Sequence, residues 1–179
     1  MLGMVNKAIE DLAISIGGPP AWDAIRAKAG VDVVAFVSSA SYDDDVTYRL
    51  VGAASEVFGL PPEAVLEAFG KHWILYTGRE GYGALLTATG STVSEFLRNL
   101  DAMHARVALT FPGLMLPTFE VDELDDRRTE VCYRSERAGL APMVLGLLKG
   151  LGTLLDQDVE VAHVGSAPGE DRFLVTLAA

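Results

Sequence analysis

Cysteine is nearly missing from this sequence. Cys132 stands alone, so no internal disulfide can form and no cysteine-rich metal site can be built. Histidine is scarce as well. His72, His104 and His163 lie far apart, and a zinc site would have to combine them with carboxylates. Basic residues are few, 14 Lys and Arg against 25 Asp and Glu, for a net charge of −11. That balance argues against nucleic acid or an anionic membrane as partner, because both reward Lys/Arg patches. No uncharged apolar run reaches the ~18–20 residues that a spanning helix needs. The segment from Met1 to Asp11 lacks the charged n-region and long apolar h-region of a signal peptide. A reduced, cytoplasmic compartment is the default expectation. Internal repeats and low-complexity tracts are absent too.

What is present is apolar. Half of the 179 residues are hydrophobic and the mean hydropathy is +0.27. Disorder is excluded, since it needs low hydrophobicity. The length fits one domain by the usual range of about 100–200 residues, so residues 1–179 are expected to form a single unit.

The first half reads helical. Leu2, Val5, Ile9, Leu12 and Ile16 recur at three- to four-residue spacing, the mark of one apolar helix face. Gly17-Gly18-Pro19-Pro20 should stop that helix, and a second should run from Ala21 to Ala29 and end at Gly30. Tyr42-Asp43-Asp44-Asp45 sets carboxylates before a periodic run through Tyr48, Val51, Ala54 and Phe58, where they would cap free N–H groups. Pro61-Pro62 restarts a helix carrying Val65, Leu66, Phe69, Trp73 and Tyr76. Gly78 to Gly83 reads as a turn. A further helix from about Ser91 to Thr110 carries Val93, Phe96, Leu97, Leu100, Met103 and Val107, with Phe111 beyond. His104 falls on that stripe, so its imidazole should point inward.

After Pro112 the period changes to two. Thr118–Val121 and Glu130–Ser135 alternate as strands do, with the acidic stretch Asp122 to Asp126 and Arg127-Arg128 between them as a hairpin loop. Pro142 opens an apolar helix, Met143 to Leu155. Val159–Val164 and Arg172–Leu177 read as a closing hairpin. Helices first, then strands with one intervening helix, define an α+β fold: a helical N-terminal part and a C-terminal four-stranded antiparallel sheet with helices.

Two groups of residues can carry chemistry. His104 is either a core histidine bonded to a carbonyl or carboxylate, or a single axial ligand to an iron cofactor, which needs one imidazole in an apolar wall. Tyr133, Ser135 and Arg137 share one face of the strand segment Tyr133–Arg137. Two hydroxyls and a guanidinium in a row match a pair of carboxylates; the alternative is a solvated face whose Arg137 pairs with a surface acid.

Taken together, Asn99-Leu100-Asp101-Ala102-Met103-His104, Pro117 thirteen residues after the histidine, and Tyr133-x-Ser135-x-Arg137 resemble the H-NOX (haem nitric oxide/oxygen-binding) family. Gly3-Met4-Val5-Asn6-Lys7-Ala8, Tyr42-Asp43-Asp44, Phe69-Gly70-Lys71 and Phe111-Pro112-Gly113 extend the resemblance along the chain. It implies haem b (Fe protoporphyrin IX), with His104 as proximal iron ligand, Tyr133, Ser135 and Arg137 on the propionates, and Pro117 pressing on the porphyrin. A helical subdomain of about 1–60 would precede a haem-ligating and propionate-binding part of about 61–179. An enclosed porphyrin would also account for the apolar excess.

The resemblance extends to the ligand. Oxygen-binding members carry a tyrosine three residues before a glycine on the helix after the propionate motif. Gly146 marks that register and Met143 occupies the position. A thioether offers no strong donor, so nitric oxide and carbon monoxide are expected ligands and oxygen is not. Trp73 and Met1 match distal-pocket positions, although Trp73 also suits a plain core aromatic; Tyr76 could add a hydroxyl. One departure is Leu2, where relatives have tyrosine. His72 reads as a polar residue rather than a ligand, and Cys132 as a small buried apolar one. The implied role is a nitric oxide sensor, not an enzyme, signalling to a separate protein such as a histidine kinase or cyclic-nucleotide enzyme. Two other classes are a cavity for an apolar organic ligand without haem, and a ligand-free interaction domain.

Overall fold

The structure is a computed structural model and describes residues 1–77, 80, 82–110 and 115–178, with only the backbone at 77. The apolar spacing from Leu2 to Ile16 builds α1, Gly3–Ala29. The stop expected at Gly17–Pro20 is a kink within this element. Gly18 takes φ 72°, a region open to glycine, and the helix resumes at once. Pro19 and Pro20 fit there because N–H groups in a first turn have no intrahelical acceptor. The helix ends at Gly30 (φ 61°), whose N–H returns to the Ala27 carbonyl at 3.2 Å.

The acidic run starts α2, Asp44–Phe58, with Asp44 and Asp45 in its first turn. α3 spans Pro62–Thr77 and α4 Gly83–Thr89. The turn expected over Gly78–Gly83 lies half outside the described residues, and Phe111-Pro112-Gly113 wholly so. α5, Val93–Thr110, opens on a reciprocal cap: Thr92 Oγ1 accepts the Glu95 N–H at 3.2 Å and the Glu95 carboxylate accepts the Ser91 N–H at 2.8 Å. Its expected stripe is buried at Val93, Phe96, Leu97, Leu100 and Met103.

Four strands follow: β1 Thr118–Glu123, β2 Arg128–Arg134, β3 Val159–Ala167 and β4 Glu170–Leu177, with α6, Ala141–Leu154, between β2 and β3. They form one antiparallel sheet in the order β1-β2-β4-β3. The β1–β2 loop is shorter than the acidic stretch suggests, because pairing extends to Glu123↔Thr129. Asp125 closes it by accepting the N–H groups of Arg127 (3.0 Å) and Arg128 (2.8 Å).

Two cores result. One, including Ile9, Trp22, Ile25, Leu50 and Phe69, binds α1, α2 and α3 together. The other joins Phe96, Leu97 and Leu100 of α5 and Leu148 and Leu151 of α6 to the inner sheet face at Val131 and Phe173. α3 and α6 meet closely through glycines. A Cβ on Gly70 would overlap the Met143 carbonyl, and one on Gly146 would overlap that of Glu67.

Candidate functional site

His104 lies in the last two turns of α5, and its stripe turns it toward β1. Its ring centroid is 5.4 Å from that of Phe119, which is 5.4 Å from that of Tyr133. Phe119 and Tyr133 are register partners on β1 and β2, so the ladder itself sets this row of three rings. The Pro117 carbonyl, just before β1, lies near enough to the imidazole to favour its protonated form. Its Nδ1 is buried with no hydrogen-bond partner among the described residues. Burial pushes the ring's pKa below its ordinary value, opposed by the Pro117 carbonyl and the Asp101 carboxylate, and so favours the neutral imidazole that can serve as a ligand.

The second group is assembled differently from the sequence expectation. Tyr133, Ser135 and Arg137 do not share a strand face, because β2 ends at Arg134. Arg134 pairs with Thr118, the first residue of β1, and with Glu170, the first of β4. Beyond it no neighbouring strand remains to prolong the ladder. Ser135 instead donates its N–H to the Gly169 carbonyl at 3.1 Å, and a turn brings Arg137 back so that its N–H meets Ser135 Oγ at 3.0 Å. The three side chains are still neighbours. Tyr133 is buried, and burial pushes its phenol pKa up while the nearby Ser135 opposes the shift.

Asp44, read from the sequence as a helix-start acid and as part of Tyr42-Asp43-Asp44, is the hub of this region. Arg137 Nε reaches its Oδ2 at 2.6 Å, and the Met1 ammonium reaches its Oδ1 at 2.6 Å. The Arg137 hydrogen bond, more than the N-terminal one, holds the Asp44 pKa below the usual carboxylate value against a smaller effect of burial. Arg137 Nη1 also donates to the Met115 carbonyl at 2.8 Å, and Met1 donates to the Tyr42 carbonyl at 2.7 Å. Tyr48 completes the cluster, its hydroxyl donating to the Ala138 carbonyl at 3.2 Å. No local pattern could have revealed these contacts, since Asp44 and Arg137 are 93 residues apart.

The other candidates lie elsewhere. Trp73 and Met143 are half-buried together against the first core. Trp73 lies between Phe69 and Tyr76, with centroids at 6.2 and 6.5 Å. His72 sets Nε2 2.9 Å from the Asp11 carboxylate and links α3 to α1. Cys132 is buried on the sheet face opposite Tyr133, near Glu170 and Arg172. Burial, then the Glu170 hydrogen bond, pushes its thiol pKa up.

Fold and site together define an α+β domain in which a largely buried imidazole, His104, faces the β1 end of a four-stranded antiparallel sheet. The sequence profile of the Haem-NO-binding family matches residues 2–163, and the chain belongs to this family, the H-NOX domains, which bind haem and sense gases rather than catalyse. Soluble guanylate cyclase gcy-37 of Caenorhabditis elegans is 31% identical over 165 residues, covering 90% of this chain and 23% of that protein. Guanylate cyclase soluble subunit beta-2 of Rattus norvegicus is 31% identical over 113 residues, covering 58% of this chain and 17% of its own length. The chain thus spans about a fifth of the length of these relatives. Among solved structures, a triple mutant of an H-NOX protein from S. oneidensis in the Fe(II) ligation state superposes with a TM-score of 0.89 at 18% identity, covering 100% of this chain and 97% of that one. The same protein in the Fe(II)NO state gives 0.87 at 20%, with both chains covered completely. These likenesses establish the fold. No helix among the described residues is long and apolar enough to cross a membrane.

Proposed function

We propose that this chain holds haem b through His104 and senses nitric oxide. The observation that carries the reading is His104 itself, an inward imidazole on α5 with a buried, unpartnered Nδ1 and a depressed pKa. Leaving a polar nitrogen buried without a partner costs about 1–3 kcal/mol. One imidazole holds a metal firmly where the metal brings its other ligands with it, as iron does in a porphyrin. When bound, haem would supply an iron that takes up a diatomic gas. His104 is its protein ligand. Tyr133 and Ser135 donate hydroxyl hydrogens to the haem carboxylates, and Arg137 adds a guanidinium fork. Pro117, whose carbonyl lies beside the His104 ring, would press on the porphyrin.

Trp73, Met143 and Met1 form the opposite wall. Met143 offers no donor to a polar diatomic, so nitric oxide and carbon monoxide bind and oxygen does not. Arg137 is shared between Asp44 and the haem carboxylates. A change in that sharing alters how the helical part, about 1–60, is held against the remainder, about 61–179. A separate signalling protein, such as a histidine kinase or cyclic-nucleotide enzyme, reads the shift.

The absorption spectrum tests this reading. The purified chain, or the chain reconstituted with haem, shows an intense Soret band. His104→Gly loses the band and regains it with added imidazole. A chain that stays colourless after reconstitution overturns the proposal. A stable new spectrum on adding oxygen to the ferrous form overturns the selectivity.

A further inference from the structure

The sheet has two edges, and they are not alike. β1 is covered: Asp101 on α5 accepts the Phe119 N–H at 2.9 Å, and Glu120 and Glu123 are tied to Arg134 (2.9 Å) and Arg98 (2.8 Å). β3 is open. A groove of about 970 Å³ runs along Val159–Ala162, with Lys71 of α3 and Lys149 of α6 in its wall. Four consecutive strand residues line it. Alternate residues of a strand point to opposite faces, and Leu174 and Thr176 of β4 line the groove as well, so it takes in the β3 edge together with the sheet face that carries Glu160 and Ala162.

The register identifies the backbone groups left on that edge. The Leu177 N–H donates to the Arg127 carbonyl at 2.9 Å, and the Leu177 carbonyl accepts the Arg127 guanidinium. Leu177 therefore turns its polar groups toward β2. The next residue, Ala178, donates its N–H to the Asp158 carbonyl at 2.9 Å. Orientation alternates along an antiparallel ladder. Glu160 thus bonds inward to its partner Thr176, while Val159 and Val161, opposite Leu177 and Val175, turn N–H and C=O outward into the groove. Exposed edges are commonly defended by bulges. The irregularity of β3 lies further on, between His163 and Gly165, and leaves residues 159–162 regular.

Charge selects the occupant. Asp158 and Glu160 share one face of the edge, with Asp156 at the groove end. None of these three carboxylates has an ion pair or hydrogen bond among the described residues. Lys149 is neutralised by Glu67 at 2.6 Å. A second copy would set these acids against their equals, on chains of net charge −11, and like charges across paired strands are destabilising. Val159 and Val161 line the other face and pack on the sheet core.

We propose that the β3 edge receives an extended segment of a separate protein in which basic and apolar side chains alternate. Its backbone pairs with Val159 and Val161, its basic residues meet Asp158 and Glu160, and its apolar residues lie beside the two valines. The proposal uses no haem-site residue, so its outcome and that of the haem reading are separable.

The full chain, labelled with nitrogen-15, is titrated with an octapeptide of alternating Lys and Val, and separately with one of alternating Glu and Val. The expected result is amide shifts confined to residues 156–162 with the lysine peptide, weakened by salt. Glu160→Lys weakens binding roughly twofold to fivefold, as an exposed ion pair allows. Val161→Pro removes an outward N–H where an edge strand tolerates proline, and abolishes binding with the remaining spectrum unchanged. Absence of shifts at 156–162, an equal response to the glutamate peptide, or peptide-free shifts that grow with protein concentration and so reveal a second copy, would each overturn it.

Discussion

Asp44 binds two cations at once, a guanidinium 93 residues further along the sequence and the Met1 ammonium. Its folded-state pKa is depressed. The stabilisation is therefore present above the unfolded value of about 3.9 and is lost as pH falls through the lower folded value. Asp44→Asn should cost about 1–3 kcal/mol at neutral pH, the range for hydrogen bonds to charged groups. Thermal denaturation across pH checks this: the gap between the two chains closes below about pH 4, whereas a gap independent of pH would assign the loss to packing. Cys132 gives a second prediction at this scale. Its thiol is buried and its pKa raised, and the thiolate is the reactive form. Iodoacetamide should label it slowly in the native chain and rapidly after unfolding, as mass spectrometry would read.

At the scale of elements, much of the fold is legible because periodicity and punctuation are local. The α5 stripe, the Gly30 stop and the two-residue alternation of β1 to β4 lie within windows of a few turns or strands. The end of β2 is not local. The alternation in Tyr133-x-Ser135-x-Arg137 runs past Arg134, but β1 and β4 both begin opposite that residue, and a strand persists only where it has a partner. The Gly17–Pro20 break shows the same limit, since local signals for a stop are also compatible with a kink when one glycine absorbs the turn. The α3–α6 contact was hidden too, because glycine spacing says nothing of what approaches it. Gly146→Ala would drive a methyl group into the Glu67 carbonyl region. Overpacking of this kind typically costs about 1–3 kcal/mol. A lowered melting temperature with the α5 and sheet amides still protected below the transition is the expected outcome.

On the whole-molecule scale, the two cores share few fastenings. α3 contributes Phe69 and Tyr76 to one core and Ile74 to the other, and α6 packs against it. The ion pairs of Asp44 add a separate link, from the start of α2 to the loop after β2. His104, Pro117 and Tyr133 lie on the sheet side of that link, while Met1 and Asp44 belong to the helical side. Among the described residues the α3–α6 helix pair and the charged cluster join the two cores, and packed interiors resist deformation more than the contacts between them. Arg137→Ala removes the charged fastening and leaves the helix pair intact. Local opening should then increase on the helical side only. Amide hydrogen exchange at residues 42–47 is expected to speed up roughly tenfold, equivalent to about 1.4 kcal/mol, with Val131 to Tyr133 unchanged. Equal acceleration on both sides would mean that Arg137 supports the sheet itself rather than joining the two halves.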